Sequence, residues 1–172
     1  MNEIVASLQA DSSGMARHAA TLCAVFAGTP VLGLQGPLPA ETVRVGTRLI
    51  TRTGARAVTR VCRYDLPAIS AQFLPANSLA PGIPAQDLWL PSGQSITLPM
   101  VVPHDRTAPP STVSLRPKAT VVSALQLAAH GFAVRALVQE DVSLFAFSFE
   151  TSDYFTVSNV QVLSGPAVKP GP

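Results

Sequence analysis

The chain has 172 residues, of which 13% are charged, and 12 lysines and arginines against 10 aspartates and glutamates give a net charge of +2. Two cysteines are too few for a disulfide-dense scaffold or a four-cysteine zinc site, and a small net charge spread without runs predicts no nucleic-acid-binding face. With 47% hydrophobic residues, the composition predicts one globular domain with a buried core.

The first 22 residues are rich in alanine and serine, and weak helical spacing of their apolar side chains predicts a weakly helical leader. Glu3, Asp11 and Arg17 interrupt this segment, so it is not typical of a signal peptide. The sequence contains no run of 18 apolar residues, which predicts no membrane-spanning helix. We therefore expect no membrane association, and a cytoplasmic location by default.

From residue 23 onward, short apolar segments alternate with glycine and proline. Many short strands at this spacing predict an all-β domain over residues 23–165, of the sandwich or barrel-like kind. The predicted strands are residues 30–34, 47–51, 57–64, 69–73, 88–90, 95–100, 134–139, 142–149 and 155–162.

Turns, one helix and a tail complete the predicted organisation. Gly54 can take the positive φ of a tight turn, so residues 52–55 predict a hairpin, and residues 35–37 predict a second turn. Residues 121–129 contain alanine, leucine and glutamine before a capping glycine, which predicts a helix. Residues 166–172 are expected to form a flexible tail.

Three segments of the chain carry a family resemblance. They are residues 28–54 (GTPVLGLQGPLPAETVRVGTRLITRTG), residues 79–88 (LAPGIPAQDL) and residues 150–159 (ETSDYFTVSN). In this order they resemble the bacterial subgroup of the Hint family, the self-processing domains of hedgehog proteins and inteins. The resemblance implies a compact Hint-type β domain.

In that family, the first residue is a cysteine or serine that attacks the preceding peptide bond as a thiolate or an activated hydroxyl. Counted back from Gly28, the resemblance assigns this position to Ala24, which has no reactive group. Cys23 takes the position only if one residue is inserted, and it then attacks the carbonyl carbon of Leu22. The alternative, which we favour, is that Cys23 is a small buried hydrophobic side chain.

The other catalytic positions that the resemblance implies are also changed. The histidine that acts as a general acid falls on Gln94, beside Ser95, and neither side chain titrates near neutral pH. The late histidine falls on Ser152, whereas the acid after it is kept as Asp153. On this alignment the chain keeps the scaffold of the family and has lost its catalytic groups.

The remaining cysteine and the histidines have simpler interpretations. Cys62 lies in an alternating segment, so we expect a strand side chain. His104 is expected in an exposed loop rather than as a displaced base, and His18 and His130 are expected at helix ends. The histidines and cysteines show none of the short spacings of zinc ligands, so we predict no metal and no other cofactor.

Two further patterns are expected to be structural. Phe145, Phe147 and Phe149 share one face of a strand, which predicts core packing rather than a partner surface. Asn159 invites comparison with the terminal asparagine of inteins, but it aligns with a family glycine. Because asparagine tolerates the left-handed conformation, we predict a turn there.

Three functional hypotheses follow from the sequence. The first is a degenerate Hint-like domain that no longer processes itself and serves as a structural or binding module, without enzymatic activity and with a protein as its partner. The second is an active autoprocessing domain that cleaves the bond between Leu22 and Cys23 through a Cys23 thioester. The third is an unrelated β-sandwich interaction protein. The sequence identifies neither the partner nor the oligomeric state.

Overall fold

The computed structural model describes residues 23–99, 119–129 and 135–168. The predicted leader (1–22), residues 169–172 of the predicted tail, and the three histidines lie outside the described residues. The described part of the tail contacts the domain, because the Val168 N–H donates to Phe149 O at 2.9 Å.

The described residues form twelve β-strands, a short 3-10 turn at Ala40–Thr42, and one α-helix. The prediction of an all-β domain is confirmed. The strands are β1 (Val25–Phe26), β2 (Pro30–Gly33), β3 (Gly36–Pro39), β4 (Arg48–Thr51), β5 (Gly54–Ala57), β6 (Arg60–Leu74), β7 (Leu88–Pro91), β8 (Ser95–Pro99), β9 (Ala119–Ser123), β10 (Arg135–Ser148), β11 (Tyr154–Val157) and β12 (Val160–Leu163), and the helix is α1 (Ala124–Ala129).

Two antiparallel sheets build the domain. The smaller sheet has the strand order β1-β10-β6-β7, and the larger has the order β3-β2-β4-β11-β12-β8-β9, with β5 paired to β4. The long strands β6 and β10 pair along almost their whole length, from Ser148 opposite Arg60 to Arg135 opposite Phe73. The smaller sheet therefore depends on one long strand pair.

Each of these long strands replaces two predicted strands with one. Residues 57–64 and 69–73 were expected to be separate, as were residues 134–139 and 142–149, because Pro67 and Asp141 interrupt the apolar patterns. In the structure Pro67 and Asp141 fall opposite each other, between the pairs Glu140–Ala68 and Val142–Leu66. Proline has no N–H to donate, so the ladder loses one pair there and continues.

The predicted helix over residues 121–129 is wrong in its first three residues. Residues 121–123 belong to β9, which pairs with β8, and α1 begins at Ala124. Val121 and Val122 are β-branched and favour a strand where a partner strand is available, so tertiary pairing overrides the helical pattern.

In the described part of the chain, no helix is long and apolar enough to cross a membrane.

The turns predicted at Gly54 and at Asn159 are confirmed. Gly54, with φ of 118°, allows the tight connection between β4 and β5. Residues 155–162 were predicted as one strand but form the hairpin of β11 and β12. Ser158 and Asn159 connect the two strands with φ values of 49° and 64°, as a two-residue turn with positive φ requires.

The core between the sheets is built around phenylalanine rings. Phe147, Phe149 and Phe155 are at most 1% exposed, and the Phe155 ring packs edge-on against Phe147 at 5.5 Å and Phe149 at 6.3 Å between centroids. Phe145 is also buried. The prediction that Phe145, Phe147 and Phe149 pack in the core is therefore confirmed. Burying aromatic rings in this geometry is a main source of stability.

The Phe155 ring joins β11 to β10, so its removal should be costly. We expect Phe155→Ala to lower the free energy of unfolding by about 3–5 kcal/mol, because it leaves a cavity between the two sheets. Urea unfolding followed by circular dichroism measures this. Leu34→Ala is the matched control, since Leu34 is 60% exposed, and its effect should stay within about 0.5 kcal/mol. Equal effects of the two variants would contradict this description of the core.

Candidate functional site

Cys23 is the first described residue of the chain and lies two residues before the start of β1. Strand β1 pairs with β10 through Val25 opposite Phe145, which anchors this segment to the smaller sheet. Ala24 is 1% exposed and packs in a small apolar cluster with Leu144. Cys23 is half-buried and unpaired with another cysteine. The segment therefore buries its alanine methyl group and leaves the thiol at the edge of the core.

The backbone N–H of Ser95, the first residue of β8, lies near enough to the Cys23 sulfur to favour its negative charge. Burial raises the pKa of the Cys23 thiol, and the Ser95 N–H offsets only part of that effect. The thiol is therefore kept protonated more firmly than a thiol in water.

Gln94 lies beside this contact and is fully buried. Its side-chain Nε2 donates to the carbonyl oxygens of Ser95 and Leu163, both at 3.0 Å. Its Oε1 is buried without a hydrogen-bond partner in the described part of the molecule. Gln94 thus donates both Nε2 protons to backbone carbonyls. Because one carbonyl belongs to Ser95 and the other to Leu163, it links the start of β8 to the end of β12.

Tyr154, the first residue of β11, stands opposite Leu163 in the register of β11 and β12. Burial raises the pKa of the Tyr154 phenol, the charge of Arg52 lowers it, and a negative charge on Cys23 raises it. Tyr154 thus lies within electrostatic range of both Cys23 and Arg52. The sequence analysis did not single out this tyrosine, although its place directly after Asp153 could have indicated it.

Asp153 is 7% exposed, and its carboxylate is held by several donors. Oδ2 accepts from the Thr51 hydroxyl at 2.7 Å and from the Thr53 hydroxyl, and Oδ1 accepts from the Tyr154 N–H at 2.7 Å. Burial alone would raise the pKa of Asp153, but these hydrogen bonds outweigh it and hold the pKa below its usual range. Asp153 is therefore ionised at neutral pH and links the β4–β5 turn to the start of β11.

The structure brings together most of the residues that the sequence analysis assigned to the site. Cys23 lies near the Ser95 backbone N–H, Gln94 donates to Leu163 O, and Leu163 pairs with Tyr154, the neighbour of Asp153. Ser152 lies on the exposed loop before Asp153. Three separate parts of the chain thus converge: its first described residues, the start of β8 and the start of β11.

The remaining candidate residues have structural surroundings or lie outside the description. Cys62 is a half-buried side chain of β6, as predicted, and packs against the apolar cluster that contains Ala24. Among the described residues, no three histidine, cysteine, aspartate or glutamate side chains are grouped closely enough to hold a metal ion. The threonine donors to Asp153 were missed, although their period-two spacing around the predicted turn could have indicated a shared partner.

The sequence matches no protein-family model and no curated protein. The solved structures that are similar to this chain include a split intein and an intein-like domain. One is a splice-inactive variant of the AceL NrdHF class 3 split intein, with a TM-score of 0.45, 11% identity, and coverage of 84% of this chain and 99% of that chain. The other is the bacterial intein-like domain from Clostridium thermocellum, with a TM-score of 0.47, 10% identity, and coverage of 83% and 98%. At these values neither likeness carries an argument about chemistry.

The depressed pKa of Asp153 predicts a pH-dependent contribution to stability. Its ionised form is favoured in the folded chain, so the stabilisation is complete above the unfolded pKa of about 4 and is lost as the pH falls through the folded pKa. We expect Asp153→Asn to lower the free energy of unfolding at neutral pH by about 1–3 kcal/mol, and the difference from the unmodified chain to shrink below about pH 4.

Urea unfolding across a pH series measures this difference. Glu150→Gln is the matched control, because it removes a negative charge from the same loop at an exposed position. Its effect on stability should be small throughout the series. A difference between Asp153→Asn and the unmodified chain that does not change with pH would contradict the role of the charged carboxylate.

Proposed function

We propose that this chain is a Hint-like domain that does not cleave itself and serves as a structural or binding module. Two independent observations support the proposal. Three segments resemble the Hint family in the family's order, and the positions which that resemblance links to chemistry converge around Cys23, Ser95 and Asp153. A chance resemblance, as in an unrelated β-sandwich, gives no reason for that convergence.

The surroundings of the Cys23 thiol support the proposed absence of self-cleavage. Attack on a peptide carbonyl requires a thiolate, and reactive cysteines have their pKa lowered by nearby cations, histidines or helix ends. Here burial raises the pKa of the Cys23 thiol instead. The thiol stands where a nucleophile would be needed, in surroundings that keep it neutral.

The supply of a proton to the leaving amine is the second requirement of such a cleavage. The Gln94 amide has no titratable proton, and both of its N–H groups already serve backbone carbonyls. Asp153 is held as a carboxylate by Thr51 and Thr53, so it has no proton to give. Tyr154 has a proton, but burial raises its pKa and makes it a weak acid. None of these neighbours is a competent general acid at neutral pH.

Self-cleavage between Leu22 and Cys23 is the second candidate function. The nearby backbone N–H of Ser95 favours it, because it lowers the pKa of the Cys23 thiol and so stabilises the negative charge of the sulfur. In this reaction the sulfur attacks the Leu22 carbonyl carbon, the carbon–nitrogen bond breaks, and the Cys23 nitrogen takes up a proton. The resulting thioester is then hydrolysed by water or exchanged with an added thiol.

Intact mass distinguishes the two candidates. The chain is expressed with an N-terminal tag, and its mass is followed over time with and without dithiothreitol. We expect a single uncut species in both samples, because the thiol is protonated and no described neighbour supplies a proton.

Two cysteine variants make the outcome specific. Cleavage after Leu22 that disappears in Cys23→Ala and persists in Cys62→Ala would overturn the proposed function in favour of self-processing. Cys62→Ala is the matched control, since Cys62 is the other half-buried thiol and lies within β6 rather than beside the Leu22–Cys23 bond.

A further inference from the structure

An open cavity of about 670 Å³ lies beside the smaller sheet. Two aromatic residues line it, Phe26 of β1 and Trp89 of β7, together with the polar residues Asp87 and Gln139. Its volume is in the range of small-molecule sites, which combine an apolar lining with a few polar groups that orient the ligand. The function proposed above uses none of these four residues.

The strand register places Trp89 and Gln139 on the same face of the smaller sheet. Trp89 pairs with Phe73 of β6, and Gln139 pairs with Ile69 of β6. Directly opposite residues of antiparallel strands share a face. Ile69 and Phe73 are an even number of residues apart in one strand, so they share a face as well. The Trp89 and Phe73 rings are in contact, with their centroids 4.8 Å apart.

Phe26 and Asp87 lie on this face too. Phe26 packs against the buried cluster that contains Ile69. Asp87 immediately precedes β7 and is two residues before Trp89, so strand alternation places both on one side. Leu88, between them, is 1% exposed and packs in the core on the other side. Asp87 is exposed, and both aromatic side chains are half-buried, so a ligand in the cavity can reach them.

The loop before β7 holds Asp87 in place. Asp87 Oδ1 accepts a hydrogen bond from the Ala76 N–H at 2.9 Å. The loop is fastened to the β11–β12 hairpin, since the Gln86 N–H donates to the Ser158 hydroxyl at 3.0 Å and the Ala85 N–H donates to Ser158 O at 2.8 Å. A ligand therefore meets a rim that is already ordered, which lowers the entropic cost of binding.

We propose that this cavity binds a short neutral oligosaccharide. The C–H face of one sugar ring packs on the Trp89 indole, and a second ring packs against Phe26. Sugar hydroxyls donate to the Asp87 carboxylate, which only accepts hydrogen bonds, and bond to the Gln139 amide, which both donates and accepts. The inference rests on the proposed role as a binding module and names the class of its ligand.

The length and charge of the cavity favour this class. The β6 partners of Gln139 and Trp89 are about 13 Å apart along the strand, so a ligand that contacts both ends needs two or three sugar rings. Asp87 is the one charged residue among the described lining residues, so they offer no cation to pair with an acidic ligand. An organic cation could use Asp87 and the aromatic rings, but it would leave the Gln139 amide without a partner.

The fluorescence of Trp89, the only tryptophan of the chain, tests the proposal. The chain is titrated with cellotriose and with maltotriose, and we expect a saturable change in emission with at least one of them. Gln139→Ala should bind that sugar about tenfold more weakly, because it loses hydrogen bonds to the hydroxyls. Gln35→Ala is the matched control, since Gln35 is exposed in the turn between β2 and β3 and does not line this cavity. Its affinity should stay within about twofold.

Calorimetry of Trp89→Leu gives a second test, because this variant loses the aromatic face. It should bind the sugar at least about tenfold more weakly, and circular dichroism verifies that all variants are folded. Absence of saturable binding of both sugars, or an equal loss in Gln139→Ala and Gln35→Ala, would overturn the proposal. Tighter binding of tetramethylammonium than of either sugar would overturn it in favour of an organic cation.

The intact mass of the same samples separates this inference from the proposed function. An uncut chain that binds neither sugar contradicts the oligosaccharide site alone. A chain that cuts itself and still binds a sugar through Gln139 and Trp89 contradicts the proposed function alone.

Discussion

The pairing of β6 with β10 is the constraint on which the rest of the structure depends. It carries Phe147 into the core, and it provides the edge to which β1 pairs. The larger sheet is tied to the same ladder, since the backbone N–H groups of Thr59 and Gly165 donate to carbonyls at the end of β10. Burial of the phenylalanine rings between the sheets stabilises this arrangement. The same strand pair determines where Cys23 lies, because β1, which follows Cys23, pairs with β10.

The chemistry of the site follows from where these elements meet. The same burial that stabilises the sheets surrounds the Cys23 sulfur with protein and disfavours its charged form. Polar groups nearby are occupied in holding strands together: Gln94 joins β8 to β12, and Asp153 joins the β4–β5 turn to β11. The Gln94 amide has no titratable proton, and both of its N–H groups bond to backbone carbonyls. These hydrogen bonds contribute to the stability of the domain.

Much of the fold could be predicted because it rests on local patterns. Alternating apolar residues predicted the buried face of β10, and the positive-φ preference of Gly54 and Asn159 predicted two of the turns. The strand at residues 121–123 could not be predicted from local pattern, because it depends on a partner strand distant in sequence. The continuity of β6 through Pro67 depends on the opposing strand in the same way.

The site could be predicted only in part. The family resemblance identified Cys23, Gln94 and Asp153, and the structure brings their segments together. Spacing in the sequence does not reveal which donors surround a carboxylate, so Thr51 and Thr53 were missed. Net charge also concealed the six arginines among residues 44–63, since the acidic residues that balance them in the total lie elsewhere along the chain.

The central claim is that the Cys23 thiol has low reactivity at neutral pH. The pH dependence of its alkylation tests this claim most directly. In the Cys62→Ala variant, Cys23 is the only thiol, and its rate of reaction with iodoacetamide reports the thiolate fraction. Burial of Cys23 predicts slow alkylation at neutral pH and a midpoint above that of an ordinary thiol, because its pKa is raised. A rate that has already reached its plateau at neutral pH would show an activated thiolate and contradict the account.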